Sequence, residues 1–521
     1  MKLLLIVPNW KWCEEEKNVN YPYPPYNLCL LAAIVRNKKL CSEISVVDCD
    51  VDNKSEAELR SIISEKSPDV VGTTVLMDQL RESGHIVTRI AKEENKDTLT
   101  IMGGVYPTVN PHKAMEDPNL DMACVGEGEY VFPEVLEYVR GDRKDLPKKG
   151  LIYRDKETGK NVFNGRADFF REMDSLPTPA WDLINFEGYS RHVAREFSPD
   201  SPRDLPYIRL YTSRGCPFSC SFCQVPLISG HDVRRQSPKK ILDELEFLKK
   251  TYGIKSFMNS DDNFLATKRS TIREFLTGMV ERKLDMPWTF EDVGVMHLNE
   301  ETVRLLAASN CKYMGYAVET GVQRISKEII AGKPLKKEHT KKMMKLSKEL
   351  GIFSAAAFII GFPTETWDEI RETIQFAEEL DADYTRIHIL VPLKGTKMYE
   401  IVEEEGLLNE RYDHFNNQAT WKSGVIESQD RSYTSNDLTI LKAMEWDRIN
   451  FTKAEKRRKI ADFLRISEDR LMERRRETIN NIYKNIKKDT GTQKAKGLGR
   501  FAATFERVDA AIPGAPRKRT Q

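Results

Sequence analysis

Ser213-Arg214-Gly215-Cys216-Pro217-Phe218-Ser219-Cys220-Ser221-Phe222-Cys223 sets three thiols at the spacing C-x3-C-x2-C. The stretch follows an apolar run near 208–212, so it lies just past the end of a strand. A loop there can fold three thiolates around one metal centre and leave a coordination position open. Cysteine is the soft ligand of iron–sulfur clusters and of zinc, and the spacing alone leaves both open. A closed structural zinc site needs a fourth ligand, for which His231 is the candidate.

Downstream, short apolar runs alternate with helical stretches. Strands are expected near 208–212, 255–259, 288–291, 313–318, 355–360 and 385–391, with helices such as 238–252, 336–350 and 365–380 between them. Six βα units predict a partial or full TIM-like barrel over 207–410, with its site at the carboxyl ends of the strands. Three of those ends carry chemistry-bearing residues: Ser260-Asp261-Asp262-Asn263-Phe264, Ala317-Val318-Glu319-Thr320-Gly321 and Ile359-Ile360-Gly361-Phe362-Pro363-Thr364-Glu365-Thr366.

Upstream, residues 1–140 show a second βα alternation, with strands near 3–7, 44–47, 70–75, 99–102 and 121–125 and helices such as 55–66 and 79–94. Fully apolar strands separated by helices predict a doubly wound, Rossmann-like parallel sheet of five strands. Its first strand ends in Val7-Pro8-Asn9 and not in G-x-G-x-x-G, which argues against NAD or FAD. The fourth ends in Met102-Gly103-Gly104-Val105-Tyr106-Pro107-Thr108, where paired glycines let a bulky ligand lie on the backbone. A simple turn is the competing reading.

Residues 141–206 are rich in Pro, Asp and Arg and read as a segment that wraps between the two halves. Residues 411–490 read as a helical, substrate-side domain. It holds Tyr412, His414, Phe415, Trp421 and Trp446, then helices near 455–463 and 468–488 with Ile479, Ile482 and Ile486 in a stripe. Residues 491–521 read as a flexible basic tail.

Over 521 residues, 81 basic and 80 acidic side chains nearly cancel, yet residues 451–521 hold 20 basic against 9 acidic, a charge of +11. Any basic contact surface therefore belongs to the C-terminal end. A hydrophobic fraction of 40% without a long apolar run excludes membrane-spanning and wholly disordered classes. The opening apolar run is short and stops at Pro8, so it reads as a buried strand and not a signal peptide. With nine cysteines and no secretion signal, a reducing, cytoplasmic setting is expected.

The C-x3-C-x2-C line, with an aromatic before its last cysteine, resembles the radical S-adenosylmethionine (SAM) superfamily. The resemblance implies that Cys216, Cys220 and Cys223 hold a 4Fe-4S cluster whose open iron chelates SAM, with Phe222 packed beside it. It further implies SAM contacts from Asp262, Glu319, Lys333 and Gly361. The N-terminal half resembles the cobalamin (B12)-binding domain that often precedes this barrel, on Pro24-Pro25-Tyr26-Asn27-Leu28, on 103–108 and on Val125-Gly126-Glu127-Gly128-Glu129. Cobalamin contacts are implied for Pro25, Asn27, Gly103, Gly104, Tyr106, Thr108, Gly126, Glu127 and Gly128. One departure is plain: the D-x-H-x-x-G motif that supplies a histidine to cobalt in some cobalamin proteins is absent, and none of the eight histidines lies in the turn after the first strand.

Together these resemblances imply a cobalamin-dependent radical SAM methyltransferase. It adds a methyl group to an unactivated carbon through methylcobalamin and a 5′-deoxyadenosyl radical, and it draws electrons from a donor such as ferredoxin or flavodoxin. Nucleic acid is not expected as a partner, and peptide, lipid and small-metabolite substrates stay open. A second enzyme reading keeps the cofactors for oxidative cyclisation or another non-methylating rearrangement. A reading of another class is a zinc- or nucleic-acid-binding protein without activity.

Overall fold

The computed structural model describes residues 1–12, 22–155, 157–193, 199–409, 425–430 and 432–490. Strands β1 (Lys2–Val7), β2 (Glu43–Asp48), β3 (Val70–Thr74), β4 (Leu99–Gly103) and β5 (Met122–Cys124) run parallel in the order β2-β1-β3-β4-β5. Their continuous apolarity follows from cover on both faces. Leu3 and Leu5 pack with Leu28 and Val131, on helices Tyr26–Asn37 and Gly128–Arg140. Leu4 and Ile6 pack with Leu59 and Val87, on helices Glu56–Lys66 and Arg81–Glu94. The strand order reverses at β1 and β3, the crevice where doubly wound sheets bind their ligands.

The sheet is wider than its five expected strands. Residues 141–206, read as a wrapping segment, supply β6 (Leu151–Arg154), which adds antiparallel to β5, and β7 (Asn161–Phe163), which adds antiparallel to β6. Strands of four and three residues are too short to show a period of two among Pro, Asp and Arg. In the later part of the segment Trp181 is fully buried, and Ala180 N donates to Cys29 O at 2.9 Å.

The second sheet begins with β8 (Tyr207–Leu210). Next come β9 (Ser213–Arg214) and β10 (Arg234–Arg235), which pair antiparallel and close the base of the cysteine loop. β11 (Ser256–Asn259), β12 (Trp288–Val293), β13 (Cys311–Glu319), β14 (Phe353–Ile360) and β15 (Tyr384–Ile389) then follow β8 in chain order, all parallel. Among the described residues β8 and β15 are unpaired edges, so the barrel is of the partial kind. Ile208, Leu210, Phe257, Trp288, Phe290 and Met314 face the surrounding helices in the main core. The alternate residues turn into the barrel.

Helix Ser435–Phe451 covers the β15 edge. Asn450 binds the Thr385 backbone through both ends of its amide, each at 2.8 Å. Trp446, grouped with the substrate-side aromatics, donates to Tyr384 Oη at 3.0 Å and packs on that edge. Helices Ala454–Leu464 and Glu468–Thr490 lie beyond, tied by a buried Arg475–Asp447 ion pair and by Phe463 stacked on Phe353 at 4.1 Å. Tyr412, His414, Phe415, Trp421 and the tail 491–521 lie outside the described residues. Among those described, no helix is long and apolar enough to cross a membrane.

Candidate active site

The cysteine loop is held by backbone and carboxylates from the neighbouring strand end. Cys216 N donates to Gly230 O at 3.1 Å, Ser221 N to Ile330 O at 2.9 Å and Cys223 N to Cys220 O at 3.0 Å. Asp261, just past β11, accepts from Thr212 N and Oγ1 and from Ser213 N and Oγ, at 2.5 to 2.9 Å, and faces Arg235 at 3.3 Å. Asp262 accepts from Gly215 N at 2.9 Å. Gly215 has φ +92°, and a Cβ there would stand 2.4 Å from Asp232 O, so glycine is required where the loop leaves β9.

Cys216 and Cys220 are buried and Cys223 is half-buried. Burial pushes the Cys220 thiol up to about 12 and the Cys223 thiol up to about 11, with Lys333 pulling both the other way. Both are thiols at neutral pH until a metal centre displaces their protons. His231, the candidate fourth ligand of a zinc site, is exposed. Among the described residues no three His, Cys, Asp or Glu side chains close on one ion-sized point. Cluster thiolates, by contrast, stand apart on separate irons.

Around this loop the structure gathers the strand-end residues. Glu319 sits at φ +69° beside an irregularity in the β13–β14 pairing, and its Oε1 accepts from Lys333 Nζ at 3.1 Å. A non-glycine residue held there is a local strain of the kind found at ligand sites. Phe222 lies against Phe362, with centroids 6.2 Å apart. Asn263 Nδ2 lies 3.8 Å from Cys216 Sγ, while its Oδ1 and the Nε2 of His297 are buried without partners. Gly361, the residue after β14, sits at φ +85° beneath Leu438, its N–H held by Glu365 at 2.6 Å.

Across from the loop, a cavity of about 370 Å³ opens between the carboxyl ends of the first sheet and the barrel. Asn27, Gly103, Gly104, Thr108, Gly126, Glu127 and Gly128 line it, and so does Asp262 from the barrel side. A Cβ at Gly103 would meet nothing within 4 Å, so the missing side chain leaves room for a ligand. Gly104, at φ +102°, is pressed against the Val75 carbonyl, where a Cβ would stand 2.4 Å away. Pro25 and Tyr106 are outside the lining. Pro25 precedes helix Tyr26–Asn37, and Tyr106 is core, its hydroxyl 3.4 Å from His85 Nε2.

Glu127, expected at the cofactor, is engaged otherwise. Its carboxylate takes two 2.7 Å bonds from Arg234, one from Phe170 N at 2.6 Å and an ion pair with Arg214 at 3.3 Å. Against burial, which alone would raise it, Arg234 and Arg214 hold this carboxyl below the ordinary range. Glu129 pairs with the other arm of Arg214. The motif Val125-Gly126-Glu127-Gly128-Glu129 is thus both cavity wall and clamp onto the residue that precedes Gly215-Cys216. Arg214 and Arg234 carried no motif; only the adjacency of Arg214 to the cysteines could have signalled it.

A loop of three thiols at a barrel mouth, facing a glycine-walled cavity of a doubly wound sheet, defines an enzyme that brings a cluster and a large second cofactor together. The comparisons agree. Residues 210–377 match the model of the radical SAM superfamily, and residues 17–136 match that of the B12-binding domain. An uncharacterized methyltransferase of Pyrococcus horikoshii is 30% identical over 409 residues, 78% of this chain and 84% of that protein. Cytidylyl-2-hydroxyethylphosphonate methyltransferase of Streptomyces wedmorensis is 28% identical over 406 residues, 71% of this chain and 73% of that one. The radical SAM methyltransferase TsrM from Kitasatospora setae, solved with cobalamin and a [4Fe-4S] cluster, shares the fold with a TM-score of 0.63 at 20% identity, over 78% of this chain and 79% of that one. The chain belongs to the radical SAM superfamily, in the branch that carries a B12-binding domain.

The residues present fit these groups. The orphaned Asn263 Oδ1 and His297 Nε2 beside the thiols await a polar ligand, and the Gly103 cradle is open.

Proposed function

We propose that the protein is a cobalamin-dependent radical SAM methyltransferase acting on an unactivated carbon. The observation that carries this reading is Asp262. It lines the glycine-walled cavity and also holds Gly215 N, one residue before the first cysteine, so the two cofactor sites share a wall. Cys216, Cys220 and Cys223 would hold the cluster, while Glu319 and Lys333 would meet the ammonium and carboxylate of SAM. Phe222, Asp262 and Gly361 would complete that contact. Asn27, Gly103, Gly104, Thr108, Gly126 and Gly128 would hold cobalamin, with Glu127 lining that wall while braced by its arginines and Pro25 and Tyr106 supporting it from behind.

When bound, SAM at the cluster supplies a 5′-deoxyadenosyl radical and cobalamin a transferable methyl group. The chain's own contribution is position and exclusion of water. Buried carboxylates fix the loop, and the interdomain ion pairs fix the distance between the two sites. The division into 1–140, 141–206, 207–410, 411–490 and 491–521 gives the first part to cobalamin, the third to SAM and the fourth to the substrate side. A ferredoxin- or flavodoxin-like protein in the cytoplasm would supply electrons.

The test is turnover with methyl-deuterated SAM in a metabolite and peptide extract under reductant. A product heavier by one labelled methyl group is expected. A radical-dependent product without that gain would move the assignment to a cyclase or another rearrangement.

A further inference from the structure

Arginines around the central chamber are matched with acids almost throughout. Arg214 and Arg234 hold Glu127 and Glu129, Arg235 faces Asp261, and Arg386 pairs with Glu291 at 2.6 Å and Asp200 at 3.5 Å. Arg209 breaks the rule. It stands on β8 between Ile208 and Leu210, which face the helices, so its side chain turns into the barrel with Tyr211. Tyr211 and Tyr23 line the cavity, while Arg209, two residues before Tyr211 along the chain, lies outside that lining behind the Tyr23 ring.

The Arg209 guanidinium rests on the Tyr23 ring, 4.0 Å from the centroid. Its Nε is buried without a hydrogen-bond partner, and no carboxylate comes within ion-pair distance among the described residues. The guanidinium is half-buried, and Asp200, already paired with Arg386, acts on it only from beyond ion-pair distance, so it lacks a direct anionic partner, a costly arrangement for a charge partly withdrawn from water. A planar fork fixed against an aromatic ring is, however, preorganised for a bidentate oxyanion.

We propose that Arg209 is the anchor for an anionic group of the substrate, a carboxylate or a phosphate or phosphonate, at the floor of the barrel chamber. This inference rests on the proposed function and names the chemistry of the substrate that site takes. Docked there, the substrate extends from Arg209 toward Tyr211 and the mouth, where the cysteine loop and the cavity meet. Arg386 does not serve, because Glu291 and Asp200 already compensate it.

The test uses the holoprotein, loaded with cluster and cobalamin so that the phosphodiester of cobalamin is already seated. Inorganic phosphate and malonate are titrated by equilibrium dialysis at constant ionic strength against wild type, Arg209→Lys and Arg209→Gln. Wild type should bind one anion per chain, Arg209→Gln at least tenfold more weakly, and Arg209→Lys in between, because it keeps charge without the fork. Phosphate binding points to a phosphate or phosphonate and malonate binding to a carboxylate. Iron and cobalamin retained by both variants keeps the comparison valid, and should Arg209→Gln fail to fold, the drop in Arg209→Lys decides. Equal binding by wild type and Arg209→Lys and Arg209→Gln, or binding of neither anion by wild type, overturns the proposal. Wild type that takes up neither iron nor cobalamin overturns instead the function on which it rests.

Discussion

Gly332 lies so close to the cysteine loop that one methyl group there tests the loop without touching a thiol. A Cβ at that position would stand 2.4 Å from Cys220 Sγ and 2.7 Å from its backbone N, and the backbone cannot swing aside. Gly332→Ala is expected to fold with wild-type circular dichroism yet lose most of its iron after anaerobic reconstitution; full iron content would show that the loop tolerates the shift. A second residue gives a pH signature. Burial pushes the Glu365 carboxyl up to about 8, against the N–H groups of Gly361 and Phe362, which pull it down. The folded chain thus holds this proton more tightly than the unfolded chain. The stability it contributes is full below the ordinary glutamate range and is lost as pH rises toward 8. Glu365→Gln keeps an acceptor for both N–H groups, so its melting temperature should gain on wild type between pH 5 and pH 9; parallel curves would contradict the shift. At this scale the sequence was legible where chemistry needs a fixed spacing, as in Cys216, Cys220 and Cys223. It was silent on Arg209, Arg234 and His297, because a lone charged or aromatic residue carries no pattern until the fold gives it neighbours.

Elements were more legible than residues. Each expected strand of both sheets lies within a few residues of its place, because fully buried parallel strands are unbroken apolar runs between helices. Ser55, where the helix expected over 55–66 begins, caps it with a capping box to Glu58. The β6–β7 hairpin escaped because its strands are short and lie at a sheet edge. The most consequential packing is that of helix Ser435–Phe451 on β15. Its Asn450 is fully buried and satisfies both backbone groups of Thr385. Asn450→Ala leaves a buried N–H and C=O unpaired, a loss of about 2–4 kcal/mol. Urea denaturation should show that loss with little change in iron binding; a change under about 0.5 kcal/mol would mean that the helix is not what seals this edge.

At the scale of the whole molecule, the two halves meet through charge as well as through an apolar seam. Glu127 and Glu129, from the wall of the first sheet, clasp Arg214 and Arg234 on either side of the cysteine loop. Breaking such buried pairs from one side leaves guanidinium groups uncompensated. The double variant Glu127→Gln, Glu129→Gln should therefore keep its iron but release cobalamin at least tenfold more readily in equilibrium dialysis; unchanged retention would show that the clamp does not set the cavity. On the proposed function, one chain holds both cofactors and uses them together. The most direct measurement is anaerobic purification with iron and cobalt quantified, followed by reduction with SAM and mass analysis of the nucleoside products. About four iron atoms per chain, bound cobalamin, and both 5′-deoxyadenosine and S-adenosylhomocysteine are expected. Zinc in place of iron with intact SAM would contradict that function outright, and deoxyadenosine without cobalt would reduce the glycine-walled cavity to a structural module.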